Sequence, residues 1–461
     1  MYEKNDKIAI YVPNCFVPEI TYIINILFGE FLGLDYLIKI ESNMKDYEIH
    51  LPNGNKLVIE NHFFSHFEDG LNYLNEAYIP KTVIFAKNNF ILEGDIPVIY
   101  GSDRLEIGNS KIICGIDIFA SSFFMLTRWE EHANKTRDNY DRFPAWASLA
   151  LKYNFLERPI VNEYVEMLWK TMKYLCPGLG RKQHIYKVLL THDVDNPFMV
   201  YDQGWYQLFR NIGSDLLKRR NLNLAIQRAT CKIRNDPKFD PANTFDFIMD
   251  LSEKHGLRSE FYFITNHTAG SLDGSGYSIE SPQIRSLMRR IYDRGHYIGL
   301  HASYNSFRNS QQTKKEFEKL VMVAEKLGIK QDSWGGRQHY LRWENPTTWQ
   351  NWEDAGLDYD STLTFADYAG FRTGTCYKYP VFNILTRKTL QLHEKPLIVM
   401  DGTLFGQNYM NLRIEDALRY VEHLSKCCRL FGGTFVLLWH NSYLIEQWQK
   451  HVYQEIIKIV S

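Results

Sequence analysis

Residues 7–12 read Lys-Ile-Ala-Ile-Tyr-Val and residues 82–86 read Thr-Val-Ile-Phe-Ala, and both dense apolar runs predict short strands. Apolar positions then recur at helical spacing over 116–132 and 159–175, which predicts two helices. At Cys176-Pro177-Gly178-Leu179-Gly180 the pattern breaks, because Pro and Gly end a helix. Beyond it the rhythm changes. Short apolar runs at 186–191, 259–265, 297–301, 333–339, 359–363, 397–404 and 435–440 predict strands. Amphipathic stretches at 245–255, 282–294, 314–327, 348–355 and 415–430 predict helices between them, and a last helix is predicted over 443–460.

Alternating strands and helices argue for a parallel sheet with helices outside. The expectation is an α/β protein in two parts, divided near residue 180. Residues 1–180 form an N-terminal α/β domain, and 181–461 a distorted (β/α)7-type, TIM-like barrel. In such barrels the chemistry sits at the C-terminal ends of the strands.

Composition narrows the function classes. The 461 residues are 45% hydrophobic and 23% charged with a formal net charge of -1, which suits a folded protein and argues against nucleic acid as the main partner. The basic run Lys218-Arg219-Arg220 reads as a solvated helix face. The first residues lack a signal-peptide pattern. The apolar stretch 8–38 is interrupted by Asn14, Pro18, Glu19, Glu30 and Asp35, so no transmembrane segment is expected. A membrane-surface contact through 28–37 stays open. Seven scattered cysteines without a C-x-x-C pair point to reduced thiols and a cytoplasmic location.

Candidate chemistry gathers at strand ends. The first long run ends in Thr191-His192-Asp193-Val194-Asp195, two carboxylates two residues apart, which reads either as an Asx turn or as a metal ligand beside a base. Gly295-His296-Tyr297-Ile298-Gly299-Leu300-His301 brings a histidine to another strand end. Arg337 could pair with an inward carboxylate, and His339 follows as a ligand or a stacking group. Asp360-Ser361 and the terminal Leu437-Leu438-Trp439-His440 complete the set, with His440 placed to act as an acid. Arg372 reads as a substrate contact or a loop stabiliser, and Gly374 and Gly402 as turn formers.

In this order the segments resemble the polysaccharide deacetylase superfamily, also called the NodB-homology or carbohydrate esterase family 4 type. The Gly-His-x-Ile-Gly-x-His match is the specific one, and the resemblance spans 186–461. The stretch 117–131 is similar to an N-terminal domain of unknown role found in a bacterial subgroup. The resemblance implies a hydrolase that removes an N-acetyl group from a carbohydrate, and the missing signal-peptide pattern adds the expectation of an intracellular carbohydrate or glycan precursor. It implies Asp193 as general base and Asp195 and His301 as ligands of a divalent metal, zinc first. It also implies Arg337 orienting Asp193, and His440 protonating the leaving amine with Asp360 tuning it.

Two departures matter. The family's second ligand histidine falls at Asn305, and its Arg-x-Pro-Tyr proline is His339. The expectation is that His339 replaces the missing ligand, with Asn305 as the alternative. Hydrolysis of a different amide, or a metal-free glycan-binding protein, stands as the competing reading.

Overall fold

Two β-sheets divide the chain close to the Pro-Gly break. The computed structural model describes residues 7–92, 94–201 and 204–461. Residues 1–6, part of the stretch without a signal-peptide pattern, lie outside them. The first sheet is built from β1 (Ile8–Pro13), β2 (Tyr36–Glu41), β3 (Tyr47–His50) and β4 (Lys56–Ile59), followed after a small separate hairpin, β5 (Ile84–Ala86) and β6 (Ile96–Val98), by β7 (Gly101–Ile107) and β8 (Lys111–Ile116). Its order is β2-β1-β3-β4-β8-β7. Helices Val17–Ile24, Ile118–Thr127 and Ile160–Leu175 are the longest in this part.

The second sheet begins with β9 (Lys187–Val194), β10 (Ser259–Ile264), β11 (Tyr297–Ala302), β12 (Gly335–Gln338) and β13 (Tyr359–Asp360). It continues with β14 (Tyr379–Asn383), β15 (Lys388–Glu394), β16 (Val399–Met400) and β17 (Thr434–Leu438). The order is β14-β15-β13-β12-β11-β10-β9-β17-β16, and every pairing is parallel except β14 with β15. All seven expected runs contain strands, and the nine strands form a curled half-barrel sheet, which agrees with the expected distorted barrel in kind though not in a count of seven. The run at 397–404 keeps only two residues in β16 before the helix Asp401–Phe405 begins, and the hairpin β14–β15 supplies an edge that was not expected.

Local chemistry explains the outer helices. Helix Pro282–Asp293 starts at Ser281, whose side chain accepts the Ile284 N–H, with Pro282 preset for the first turn. Its buried Ile284, Leu287, Met288 and Ile291 follow helical spacing and face the sheet. Helices Trp205–Leu217 and Leu222–Arg234, which were not expected, form an excursion between β9 and helix Phe245–Lys254.

The two parts share one hydrophobic core. Phe123 of helix Ile118–Thr127 meets Tyr22 and the β14 residue Phe382, and the Tyr379 hydroxyl donates to the Leu126 carbonyl. Of the region considered for a membrane contact, Phe28, Phe31 and Leu32 are buried in this core, whereas Leu37 is exposed. A buried ionic cluster joins the two parts. Arg128 pairs with Glu130 and Glu131, and Glu131 receives Arg372 from the second part at 2.9 and 2.5 Å. Arg372 also donates to the Thr364 carbonyl, which makes it a structural residue at the junction.

Candidate metal and catalytic site

The two-residue period of a strand puts Asp193 on one face of β9 and His192 on the other, and Asp195 follows directly after the strand's last residue. His192 is buried, and its Nδ1 lies 2.7 Å from the Trp439 carbonyl. On the Asp193 face, β10 presents Tyr262 and β12 presents Arg337, whose guanidinium sits 5.1 Å from the Tyr262 ring centre. Gly299 on β11 makes room for that ring, since a methyl group there would lie 2.5 Å from it.

Arg337 is wholly buried and fully engaged. It donates to Asp193 Oδ1 at 2.8 Å, to Thr191 Oγ1 at 3.0 Å and to the hydroxyl and carbonyl of Ser361. Burial pushes the Asp193 carboxyl up, but Arg337, His301 and His440 outweigh it and hold the group below its usual range.

Asp195, His301 and His339 converge. His301 Nε2 lies 3.1 Å and His339 Nε2 3.4 Å from Asp195 Oδ1. One ligand atom from each of the three falls within 4.8 Å of the others. Their outward nitrogens are fixed from behind. His301 Nδ1 donates to the Arg337 carbonyl at 3.0 Å, and His339 Nδ1 to Asp273 Oδ1 at 3.2 Å. In the neutral tautomer each Nε2 is thereby left to face a cation beside the carboxylate, whereas without a cation burial lowers the His339 pKa but Asp195 and Asp273 outweigh it and raise it to about 9. His301 Nε2 and Asp195 Oδ1 are buried without a hydrogen-bond partner, a costly state for polar atoms in the interior. One carboxylate oxygen and two imidazole nitrogens are the donor set of an open divalent-metal site, and a cation among them would satisfy both orphaned atoms. Asn305 is exposed and turned away, donating to the Thr268 carbonyl.

His440 stands across the cavity, with Nε2 3.7 Å from Asp195 Oδ2. Its Nδ1 donates to Asp401 at 2.7 Å. Burial alone would lower its pKa, yet Asp401, Asp195 and Asp193 raise it to about 10.

The expected tuning of His440 by Asp360 is corrected here, because Asp401 takes that place. Strand alternation is the reason. Tyr359 faces the Asp193 side, with its hydroxyl on Glu260, so Asp360 faces the opposite side. There it accepts from the Thr362 N–H and stands in register with Glu394, which accepts from Trp349 Nε1.

A cavity of about 230 Å³ joins these groups. Asp193, Asp195, His301, His339 and His440 line it, with Leu341 and Met400 as apolar wall. Tyr340 and Leu341, directly after His339, both take left-handed backbone conformations (φ 59° and 57°), which turns the chain sharply at the cavity rim.

Residues 8–177 match DUF7033, a family of unknown function. No curated protein matches the chain. Among solved structures, the chain is similar to a Mycobacterium smegmatis protein described as a polysaccharide deacetylase, at 15% identity and a TM-score of 0.39, covering 60% of this chain and 84% of that one. It is also similar to a Puue allantoinase, at 11% identity and a TM-score of 0.35, covering 59% and 83%. A third is the chitin deacetylase of Colletotrichum lindemuthianum, at 12% identity and a TM-score of 0.31, covering 60% and 82%. At such values the chemistry is decided by side-chain geometry, not by likeness.

Three site residues escaped sequence reasoning. Asp401 follows the apolar run Leu397-Ile398-Val399-Met400, and a carboxylate closing such a run was the available signal. Asp273 lies in a glycine-bounded loop without any pattern. Arg142 comes from the first part of the chain. Held by Asp138, it enters the cavity wall and donates to the Tyr340 carbonyl and the Tyr409 hydroxyl, both at 3.1 Å.

Proposed function

We propose that the protein is a metal-dependent amide hydrolase that removes N-acetyl groups from a carbohydrate. The observation that carries this reading is the pair of buried, unpartnered atoms His301 Nε2 and Asp195 Oδ1, which face each other beside His339. Asp195, His301 and His339 would hold the ion, and a divalent metal such as zinc supplies Lewis acidity toward an acyl oxygen when bound.

The remaining groups divide the proton work. Asp193, kept ionised and oriented by Arg337, accepts a proton as water adds to the acyl carbon. His440, kept protonated by Asp401, gives its proton to the amide nitrogen as the C–N bond breaks. The products are acetate and a free amine. Leu341 and Met400 offer an apolar wall suited to an acetyl methyl group. A cytoplasmic substrate such as a glycan precursor is supported by the seven cysteines, all free.

The test is acetate release from N-acetylated sugars by the zinc-loaded protein, beside Asp193→Asn and His440→Ala. Release that falls at least a hundredfold in both variants supports the reading. Full metal loading without release from any N-acetyl sugar, but with cleavage of other amides, would move the substrate class. Failure to load metal would remove the mechanism.

A further inference from the structure

The excursion between β9 and helix Phe245–Lys254 is built inside out. Helix Trp205–Leu217 and helix Leu222–Arg234 pack together with an ion pair at their contact: Arg228 Nε donates to the buried Asp215 at 2.6 Å. Among the described residues a small apolar cluster, Val200, Leu208 and Cys231 with Met199, Tyr201 and Ile212 packed against it, backs them. Their larger apolar side chains point outward. On the first helix Trp205, Tyr206, Phe209, Leu216 and Leu217 are exposed, with Tyr206 at 81% and Leu217 at 83%. At 100° per residue these five fall within one third of the helix circumference. On the second helix Leu222, Ile226 and Ile233 (75% exposed) share a narrower stripe.

Charge marks the same segment. Residues 205–234 contain seven Lys or Arg and one Asp, in a chain of net charge -1. Arg210, Lys218 and Arg220 are exposed, and Lys218, Arg219 and Arg220 lie in the turn joining the helices. A basic amphipathic element with Trp, Tyr, Phe and Leu on its open face has the composition of a structure that lies in the plane of a bilayer interface. A second copy of this chain would bring two strongly positive hairpins together, which like-charge repulsion disfavours.

The root of the hairpin is tied to the catalytic mouth. The Asp240 carboxylate accepts the backbone N–H groups of Met199, Val200 and Tyr201, clamping the two ends of the excursion. Asn441, next to His440, donates to the carbonyls of Asn196 and Ala242. The first of these directly follows Asp195.

We propose that residues 205–234 form a docking hairpin that seats the protein on an anionic lipid surface. Its apolar stripes enter the interface and its Lys and Arg side chains meet the headgroups. The hairpin would place the active-site mouth beside substrates carried at that surface. Binding to lipid stands independently of the hydrolase reading, because it is measured without turnover.

The experiment is flotation of the full-length protein with vesicles of phosphatidylcholine, either pure or containing one third phosphatidylglycerol. The wild type is expected to float with the anionic vesicles, and more weakly as salt rises. The triple variant Tyr206→Ser, Phe209→Ser, Leu217→Ser should lower the partition coefficient at least tenfold. The charge variant Lys218→Glu, Arg220→Glu should do the same by the other route. All five positions are exposed, and an unchanged circular-dichroism spectrum and Tm confirm that each variant is folded. Equal binding to both vesicle types, or wild-type binding by the triple variant, would overturn the proposal. So would absent vesicle binding together with a wild-type dimer that the triple variant dissociates, which would assign the face to a second copy.

Discussion

Asp401 holds His440 at two points, taking the ring Nδ1–H on one carboxylate oxygen at 2.7 Å and the backbone N–H of the same residue on the other at 2.8 Å. The imidazole is therefore fixed in orientation and held in its charged form to about pH 10. An acid of this kind works while it is protonated, so activity is lost as pH rises through its pKa. Asp401→Asn removes the nearest negative charge, and the alkaline limb of the kcat/KM profile should move down by at least about one pH unit. An unmoved limb would take His440 out of the acid role.

Asp273 supports the metal site without belonging to it. Its carboxylate keeps the proton of His339 on Nδ1 and leaves Nε2 open toward Asp195. Asp273→Asn should weaken zinc affinity by roughly 10–100-fold, measured by competition with a chromophoric chelator. His301→Ala and His339→Ala should each abolish stoichiometric loading, whereas Asn305→Ala should leave it unchanged.

Arg337 and Asp193 are a buried pair, and removing one partner strands the other. Arg337→Met should cost about 3–5 kcal/mol in denaturant unfolding, because an unpaired carboxylate is left in the interior. Adding Asp193→Asn should recover much of that loss while leaving the protein inactive. Equal stability of the single and double variants would show that the pair carries no such strain.

Asp360 and Glu394 face each other on neighbouring strands behind the site. Burial pushes Asp360 up to about 7 and, with Asp360 beside it, holds Glu394 well above the usual carboxylate range. The folded protein thus binds protons that the unfolded chain releases near pH 4. This contribution to stability is fully present below about pH 4 and is lost as pH rises through about 7. Asp360→Asn should flatten the fall in Tm across that window, as read by thermal melts from pH 4.5 to 7.5.

Arg142 reaches the cavity from the first part of the chain. Arg142→Ala frees the Tyr340 carbonyl and the Tyr409 hydroxyl, so kcat/KM should fall roughly a hundredfold as the wall loosens. Zinc content should not change, since the hydrogen bonds of Arg142 go to Asp138, Tyr340 and Tyr409 rather than to the candidate ligands Asp195, His301 and His339.

Much of the second sheet could be read from the chain, because parallel strands buried on both faces appear as continuous apolar runs between amphipathic helices. Asp193, Asp195, His301 and His440 stood out as polar residues that end such runs. The hairpin β14–β15 did not, since Lys388–Glu394 mixes exposed and buried positions and forms no continuous apolar run. Asp360 misled because a two-residue strand gives no periodicity from which to tell its faces. Helix Trp205–Leu217 was hidden by its own composition: its apolar residues mark the outer face, the reverse of the pattern that ordinarily reveals a core-packed helix.

The ion pair between Glu131 and Arg372 has a consequence for how the protein is made. The two residues are 241 positions apart, so the acidic cluster at Glu130 and Glu131 leaves the ribosome long before one of its guanidinium partners is synthesised. Until then its burial lacks half of its compensating charge, and the early-emerging part cannot settle fully. The N-terminal segment is thus a portion of the chain that waits for the C-terminal one, and separating them at the Pro-Gly break yields two fragments, each missing part of its interior.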